Sequence, residues 1–395
     1  IVRCLAKILL LFTVLIMRGY AGYARHIKGG EIQYTYLGPG AAGTDRYRLL
    51  LRLFISCAST EGQLETTANL GIFKNSNNAA FANSPVTATL SRSDITTLTS
   101  PSPCILSPSP VCYWVREYTT TVDLPKEPEG YTVIFQRCCR IDGIRNASPN
   151  VNIGASYTCQ IHGTNSIGQT AQNSNPEFDI KDTVLICQRK RFQLNYKAFD
   201  PDGDSLTYEF APAYYGGSIS NAIVTSPTPP NALTTLRYSS GFTGILPLGP
   251  GVSIDRNTGL ISGVAPVSGD YVVCVLVKEY RSGALVTEHR KDFIIHVDDR
   301  CDFPSAALEP SYITCDGFNF SFHNEASASP LIHSYYWDFG LNGTDTDTST
   351  GTTPVFTFPD TGTYTVKLVV NRGELCTDST TTQMKVYPGF FPGFS

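Results

Sequence analysis

The sequence predicts an all-β protein built from tandem Ig-like β-sandwich domains. Charged residues make up only 16% of the 395 residues, which is low for a chain with long exposed helices. Gly (33) and Pro (25) are frequent, as expected where short strands are joined by many turns. Segments of strand length, such as YRLLLRLFISC and YTVIFQRCCR, recur between polar loops. Because a single core rarely grows to this length, we expect several domains.

The first residues have the pattern of a signal peptide rather than of folded structure. Two basic residues precede the apolar run ILLLFTVLI, and the small residues Gly22 and Ala24 stand before Arg25, as signal-peptidase cleavage requires. A membrane anchor is the alternative, but the run is shorter than the roughly 20 residues of a span. We therefore expect residues 1–24 to be removed. The mature protein is then secreted or held at the cell surface, with no membrane span of its own.

The charge balance argues against a nucleic-acid partner. Loss of the signal peptide would remove Arg3, Lys7 and Arg18, leaving 27 basic against 34 acidic side chains. Such a surface repels phosphate backbones, and no basic cluster interrupts it. The expected partners are an extracellular surface and glycan or protein ligands, and the oligomeric state stays open.

Cysteine usage agrees with export. Eleven of the twelve cysteines follow the signal peptide, where they predict disulfides. Cys138 and Cys139 are adjacent, and because neighbours on a strand point to opposite faces, we expect them to bond different partners. A zinc site is less favoured, since neither a CxxC pair nor a His at ligand spacing accompanies them. The N-terminal six are Cys57, Cys104, Cys112, Cys138, Cys139 and Cys159.

The C-terminal cysteines suggest one further bridge. Cys315 and Cys376 are expected to form an internal disulfide of the last domain. The three cysteines between the two groups, Cys187, Cys274 and Cys301, leave one thiol over.

Three domains are predicted after the signal peptide. Residues 25–181 form a disulfide-rich β-sandwich, residues 182–300 a second sandwich and residues 301–388 a third, with residues 389–395 as a linker into further modules. The second contains two strand-like runs, GDYVVCVLVKEY and KDFIIHVDD, joined by RSGALVTEHR, which predicts a hairpin.

The third domain has the clearest pattern. In FTFPDTGTYTVKLVV, Tyr364, Val366 and Leu368 alternate with polar residues, which predicts a half-buried strand after a Pro-Asp-Thr-Gly turn. Upstream, YYWDFG supplies Trp337, a residue suited to a sandwich core. The stretch SYYWDFGLNGTDTDTSTGTTPVFTFPDTGTYTVKLVV resembles a PKD domain, which implies an Ig-like sandwich.

Weaker resemblances cover the rest. DPDGDSLTYEF and GVSIDRNTGLISGVAPVSGDYVVCVLVKEY are similar to cadherin-like or putative-Ig modules of bacterial surface proteins. HIKGGEIQYTYLG and FQRCCRIDGIRN resemble the head of exported Bacteroidota proteins that carry PKD modules, although Ile141 stands where such proteins often have Asn. The resemblance implies a gliding-motility-associated protein exported by type IX secretion.

No motif supports catalysis. A G-x-S-x-G elbow and an HExxH helix are both absent from the sequence, and the six histidines are scattered. Paired-carboxylate hydrolysis would need two acids in a cleft with unequal environments. The aspartates of AFDPDGDSLTYEF instead lie in a sequence that favours a turn. We expect no enzyme activity.

Those aspartates are candidate calcium ligands. Asp200, Asp202 and Asp204 offer the oxygens that calcium prefers, with Glu279 or Asp255 as the distant acid. An EF-hand is excluded, because the spacing from Asp200 puts neither Gly sixth nor Glu twelfth.

A structural role is the alternative for each of these acids. Asp200 would cap the turn, Gly203 would adopt positive φ and Asp202 would be solvated. Glu279 would pair with Arg281 or Arg290 across the hairpin. The same question arises more weakly for Asp345 and Asp347, which we expect to lie in a solvated loop. The Tyr-rich loop APAYYGGSISN is a candidate sugar platform.

Together these features predict a non-catalytic structural or adhesion protein of the cell surface. Sandwich modules in series would form a stiff rod, and disulfides or calcium would limit its extension. The alternative is a glycan-binding accessory region of a larger secreted hydrolase.

Overall fold

The computed structural model describes residues 26–41, 43–57, 65–98, 111–167, 172–178, 184–300, 303–326, 328–374 and 376–387. The chain divides into two compact units, and the boundary lies between Asp299 and Arg300. The predicted signal peptide and the predicted linker at 389–395 lie outside the described residues. In the part of the chain that is described, no helix has the length and apolarity needed to cross a membrane.

The first unit begins with seven long strands and one short helix. These elements are β1 (Ile27–Pro39), β2 (Thr44–Ser56), β3 (Thr67–Lys74), β4 (Val86–Leu98), β5 (Val111–Pro125), β6 (Tyr131–Arg137), β7 (Ala155–Ile161) and α1 (Thr164–Ile167). The inward side chains of these strands form an apolar core that includes Ile32, Leu51 and Val133, each fully buried. This core matches the sandwich interior that the sequence predicts.

The second half of the same unit adds eleven strands and one 3-10 turn. They are β8 (Glu177–Phe178), β9 (Val184–Cys187), β10 (Arg191–Asn195), β11 (Ala198–Phe199), β12 (Ser205–Phe210), β13 (Tyr214–Tyr215), the 3-10 turn Pro230–Ala232, β14 (Thr234–Thr235), β15 (Val252–Ile254), β16 (Leu260–Val264), β17 (Gly269–Arg281) and β18 (Ala284–Asp298). β17 and β18 form the predicted hairpin, closed by Ser282 and Gly283 at positive φ. A second core lies between these two strands and the short sheets β10-β16-β15 and β8-β11.

The boundary predicted between residues 181 and 182 is wrong, because the two halves share one sheet. β1 pairs with β2 on one side and with β18 on the other, placing Gly29 opposite Phe293. Arg140, fully buried, makes two hydrogen bonds of 2.6 and 2.5 Å to Asp292, 152 residues away. Because sequence gives no sign of pairing over such separations, two local patterns resembled two domains.

The expectation that Cys138 and Cys139 bond different partners is also wrong, since they form a disulfide with each other. The argument assumed strand geometry, but β6 ends at Arg137, so alternation between faces no longer applies. The peptide oxygen of Cys139 accepts the N–H groups of His26 and Ile27, which attaches the start of β1 to this segment. A second disulfide joins Cys57 to Cys112.

The second unit is a small sandwich. Its strands are β19 (Ser311–Thr314), β20 (Asn319–Ser321), β21 (Tyr335–Asp338), β22 (Thr348–Ser349), β23 (Val355–Thr357), β24 (Gly362–Val370) and β25 (Asp378–Val386). The sheet β19-β25-β24-β21-β22 packs with the β20-β23 pair around a core in which Trp337 is fully buried. Val366 and Leu368 point into that core and Lys367 is exposed, which confirms the alternation predicted for β24.

The predicted Cys315–Cys376 disulfide is wrong. Cys315 is an exposed free thiol, and Cys376 belongs to another disulfide. β19 runs parallel to β25 with Thr314 opposite Val386, so Cys315 lies beyond the end of β25 while Cys376 precedes its beginning. Ten residues of strand separate these positions by about 30 Å. A disulfide needs Cα atoms only about 4–7 Å apart.

Candidate metal centre

The Asp-rich turn lies between β11 and β12. Oδ1 of Asp200 accepts the backbone N–H groups of Asp202 and Asp204, each at 2.9 Å. Gly203 has a φ of 81°, which a residue with a Cβ adopts at a cost. The turn therefore has the Asp cap and the positive-φ glycine that the structural alternative described, and Oδ2 of Asp200 is left without a hydrogen-bond partner among the described residues.

Strand pairing brings a distant acid to this turn. β12 pairs with β17 so that Leu206 lies opposite Glu279. One carboxylate oxygen from each of Asp200, Asp204 and Glu279 then lies within 4.8 Å of the others. Three of the four predicted ligands thus meet at one place, which is called the carboxylate cluster below.

The carboxylate cluster is buried, and burial changes its protonation. Glu279 is 1% exposed and Asp200 6% exposed. Within the described ranges, both oxygens of Glu279 lack a hydrogen-bond partner, and so does Oδ2 of Asp200. Burial, and then the charge of Asp200, raise the pKa of Glu279 to about 9. Burial also raises the pKa of Asp200, partly offset by its two backbone hydrogen bonds.

Arg281 closes one side of the cluster. Its Nε and Nη2 donate to the two oxygens of Asp204 at 2.8 and 2.5 Å, and this pairing raises the pKa of Arg281. Nη2 also donates to Oδ1 of the buried Asn173 at 2.7 Å. The pairing of Glu279 with Arg281 or Arg290, considered from sequence, is therefore not formed, because Arg281 pairs with Asp204 and Arg290 donates to the carbonyl of Pro212.

Two other acids considered from sequence lie outside the cluster. Asp202 does not join the other three, and its Oδ2 instead accepts the N–H of Ser174 at 2.6 Å. Asp255 caps its own turn, accepting the N–H groups of Asn257 and Thr258. Sequence reasoning missed Asn173 and Ser174, because the loop that carries them has no motif and meets the turn only in the folded chain.

The donor set fits calcium. Oxygens that share a calcium ion at 2.3–2.6 Å can be separated by at most about 5 Å, which the 4.8 Å limit satisfies. Oδ2 of Asp200 and both oxygens of Glu279, which lack hydrogen-bond partners among the residues described, are buried acceptors that a cation would satisfy. Asp200, Asp204 and Glu279 would hold the ion, with water completing the six to eight oxygens that calcium requires.

The remaining sequence candidates differ in exposure. Tyr214 lies under Arg290, whose guanidinium carbon is 4.8 Å from the ring centroid, and Tyr215 is 37% exposed. The expectation of a solvated loop at Asp347 is wrong: it is 3% exposed, and its Oδ2 accepts the N–H of Leu341 at 2.6 Å. Asp345 is exposed as expected.

One part of the chain is similar to a known domain family. The PKD domain model matches residues 301–386. A 238-residue stretch, 59% of this chain, is 25% identical to integrin beta-like protein A of Dictyostelium discoideum, and the match spans about a tenth of that protein's length.

Among solved structures, the N-terminal four Ig domains of Dscam1 isoform 9.44 match 90% of this chain and 91% of theirs at 11% identity, with a TM-score of 0.19. The human desmocollin-1 ectodomain matches 92% and 74% at 10% identity, with a TM-score of 0.20. Both scores are too low to support an argument. The family match coincides with the compact unit that begins at Arg300 and with the buried Trp337 of its WDFG motif. Residues 301–386 are therefore similar to PKD domains, and this segment is called the PKD domain below.

Proposed function

We propose that this chain is part of a non-catalytic cell-surface or secreted protein that works as a calcium-stiffened adhesive or structural spacer. The observation that carries the proposal is the carboxylate cluster. It contains a buried Glu279, beside Asp200 and Asp204, whose two oxygens have no hydrogen-bond partner in the described part of the chain. The PKD match at residues 301–386 supports an extracellular role together with the sequence resemblance of this chain to exported surface proteins that carry PKD modules. In its more specific form, the proposal is that the protein takes part in gliding-linked attachment and is exported by type IX secretion.

Calcium would act mechanically at this position. The cluster joins the turn before β12 to β17, and Arg281 and Asp202 extend it to the loop at Gln172, Asn173 and Ser174. That loop hydrogen-bonds to β1, because the N–H of Tyr36 donates to Oγ of Ser174 at 3.2 Å. An ion bound to the three carboxylates would therefore stabilise the contact between the two cores of the first unit.

Thermal unfolding tests the calcium site. We expect millimolar calcium to raise the melting temperature of the first unit by several degrees relative to a chelator, by mass action on the folded state. Glu279→Gln should abolish the rise, because it removes one anionic ligand and keeps the side-chain volume. Asp255→Asn is the matched control, since Asp255 is an exposed turn residue outside the cluster. An unchanged melting temperature in the wild type would exclude the metal site.

Force spectroscopy tests the mechanical role. Pulling on the chain from its two ends in calcium and in chelator should give a higher unfolding force for the first unit with calcium, and the same force for the PKD domain. Equal forces for the first unit in both buffers, despite a calcium-dependent melting temperature, would contradict the spacer function and leave the metal site intact.

A further inference from the structure

A polar cavity of about 330 Å³ lies at one end of the first core. It is formed where β3 ends, β6 begins and β7 ends, and the beginning of β18 supplies its remaining wall. Side-chain carboxamides come from Asn75, Gln160 and Asn165, and apolar surface comes from Ile161 and Val286. This cavity is called the amide pocket below.

Two glycines hold the walls of the amide pocket together. A Cβ on Gly130 would collide with the backbone oxygen of Ile161, because the two loops touch backbone to backbone. A Cβ on Gly163 would collide in the same way with the backbone oxygen of Pro128. The N–H of Asn165 donates to that oxygen of Pro128 at 3.0 Å. The walls are therefore positioned before any ligand arrives, which lowers the entropy cost of binding.

The carboxamides of the amide pocket have two different roles. Asn75 braces the wall, since its Oδ1 accepts the hydroxyl of Thr132 at 2.6 Å and its Nδ2 donates to the backbone oxygen of Glu129 at 2.9 Å. Gln160 and Asn165 are exposed, so their carboxamides can reach a ligand. Each of these two groups offers an acceptor oxygen beside an NH₂ donor.

The charges around the amide pocket favour a neutral ligand. Glu129 is its one acid, and no lysine or arginine is among the described residues that line it. The other titratable group of the lining is His162, whose Nδ1 lies 3.4 Å from the hydroxyl of Tyr34. An anion would meet the carboxylate of Glu129 at close range. A cation would gain little, because Glu129 is exposed and ion pairs at exposed sites are weak.

We propose that the amide pocket binds a neutral saccharide through the carboxamides of Gln160 and Asn165. A sugar hydroxyl both donates and accepts hydrogen bonds, which matches the donor and acceptor of a carboxamide. The C–H groups of the ring pack on Ile161 and Val286. The volume lies near the lower end of the roughly 300–1,000 Å³ of ligand pockets, so it suits a ligand as small as a sugar ring. The inference gives the adhesive role a partner and is independent of calcium.

Saturation-transfer difference NMR on the whole chain tests the proposal. The probes are glucose, galactose and mannose, each compared with its uronic acid, in a buffer with chelator so that the calcium site plays no part. We expect at least one neutral sugar to bind, with a dissociation constant in the millimolar range. Its uronic acid should bind about two- to fivefold more weakly, because its carboxylate meets Glu129. Absence of binding by all three neutral sugars, or a uronic acid that binds as tightly as its neutral parent, would overturn the proposal.

Variants locate the site. Gln160→Leu removes one carboxamide from an exposed position, so affinity for the neutral sugar should fall about two- to tenfold. Gln193→Leu is the matched control, because Gln193 is an exposed glutamine of β10 that does not line the pocket. Adding Asn165→Leu to Gln160→Leu should abolish detectable binding.

An unchanged melting temperature would show that these surface variants remain folded. Wild-type affinity in the folded double variant would contradict the assignment of the sugar to this pocket. Glu129→Gln should raise the affinity for the uronic acid to that of the neutral sugar. A uronic acid that still bound more weakly to Glu129→Gln would also count against the assignment.

Discussion

At the residue scale, the most informative group is Glu279. Its carboxyl is 1% exposed and has no hydrogen-bond partner of good geometry among the described residues, which is a source of instability unless the group is protonated or meets a cation. Its neighbours Asp200 and Asp204 add negative charge, so burial and repulsion act in the same direction on its pKa. Strongly shifted pKa values in buried groups are concentrated at functional sites.

The metal-free protein should lose stability as pH rises because of this group. The pKa of Glu279 is about 9 when folded and near 4.5 when unfolded, so the folded state holds its proton more tightly. Its contribution is fully present below pH 4.5 and is lost as pH rises through 9, with a slope of up to about 1.4 kcal/mol per pH unit. Urea unfolding in chelator between pH 5 and 9 should show a steeper decline for wild type than for Glu279→Gln. Identical slopes would contradict the assigned pKa.

The free thiol of Cys315 gives a second prediction at this scale. Native protein treated with iodoacetamide without reductant should be modified at Cys315, which is exposed, and not at Cys159 or Cys274, which are buried with thiol pKa values raised by burial. Peptide mapping reads the result, and denatured protein serves as the control in which all three react. If Cys315 were protected from modification in the native state, the disulfide predicted from the sequence would be supported instead.

At the scale of elements, the WDFG motif shows how one glycine allows two strands to approach. Gly340 follows β21 with a φ of 80°, and a Cβ there would lie 2.4 Å from the backbone oxygen of Thr365 on β24. Gly343 has a φ of 81° and nothing within 4 Å of such a Cβ. Both glycines therefore have the backbone strain of a positive φ, but only at Gly340 would an added Cβ also collide with another strand.

Gly340→Ala should destabilise the PKD domain far more than Gly343→Ala. Positive φ costs either variant about 1 kcal/mol, and the contact with β24 should cost Gly340→Ala about 2–3 kcal/mol more. Chemical denaturation of the isolated domain or of the whole chain measures the difference. An equal loss of unfolding free energy in the two variants would show that β24 shifts to accommodate the added methyl group.

At the scale of the whole molecule, the first unit is held together by pairings between its beginning and its end. β18 pairs with β1, and Asp292 accepts hydrogen bonds from Arg140. Removing one partner from a buried pair leaves an uncompensated charge, which costs about 3–5 kcal/mol. The first unit should therefore unfold as one cooperative block despite its two cores.

Fragments test this directly. A chain of residues 26–300 should give dispersed amide spectra and a single sharp melting transition. A chain of residues 182–300 should not, because its β18 lacks β1 and its Asp292 lacks Arg140. A folded 182–300 fragment would support the boundary predicted from sequence over the continuous sheet.

Features that depend on local order can be predicted from the sequence. Alternation along β24, the β17–β18 hairpin, the burial of Trp337 and the Asp200 turn could all be predicted, because each follows from residues within about thirty positions of one another. Which distant groups meet can be seen only in the folded chain. Glu279 joins the carboxylate cluster and Asp202 lies outside it. Arg281 pairs with Asp204, and Cys315 lies far from Cys376 along the sheet. Those outcomes depend on strand register and on which strands become neighbours, and long-range pairing leaves no periodic trace in the chain.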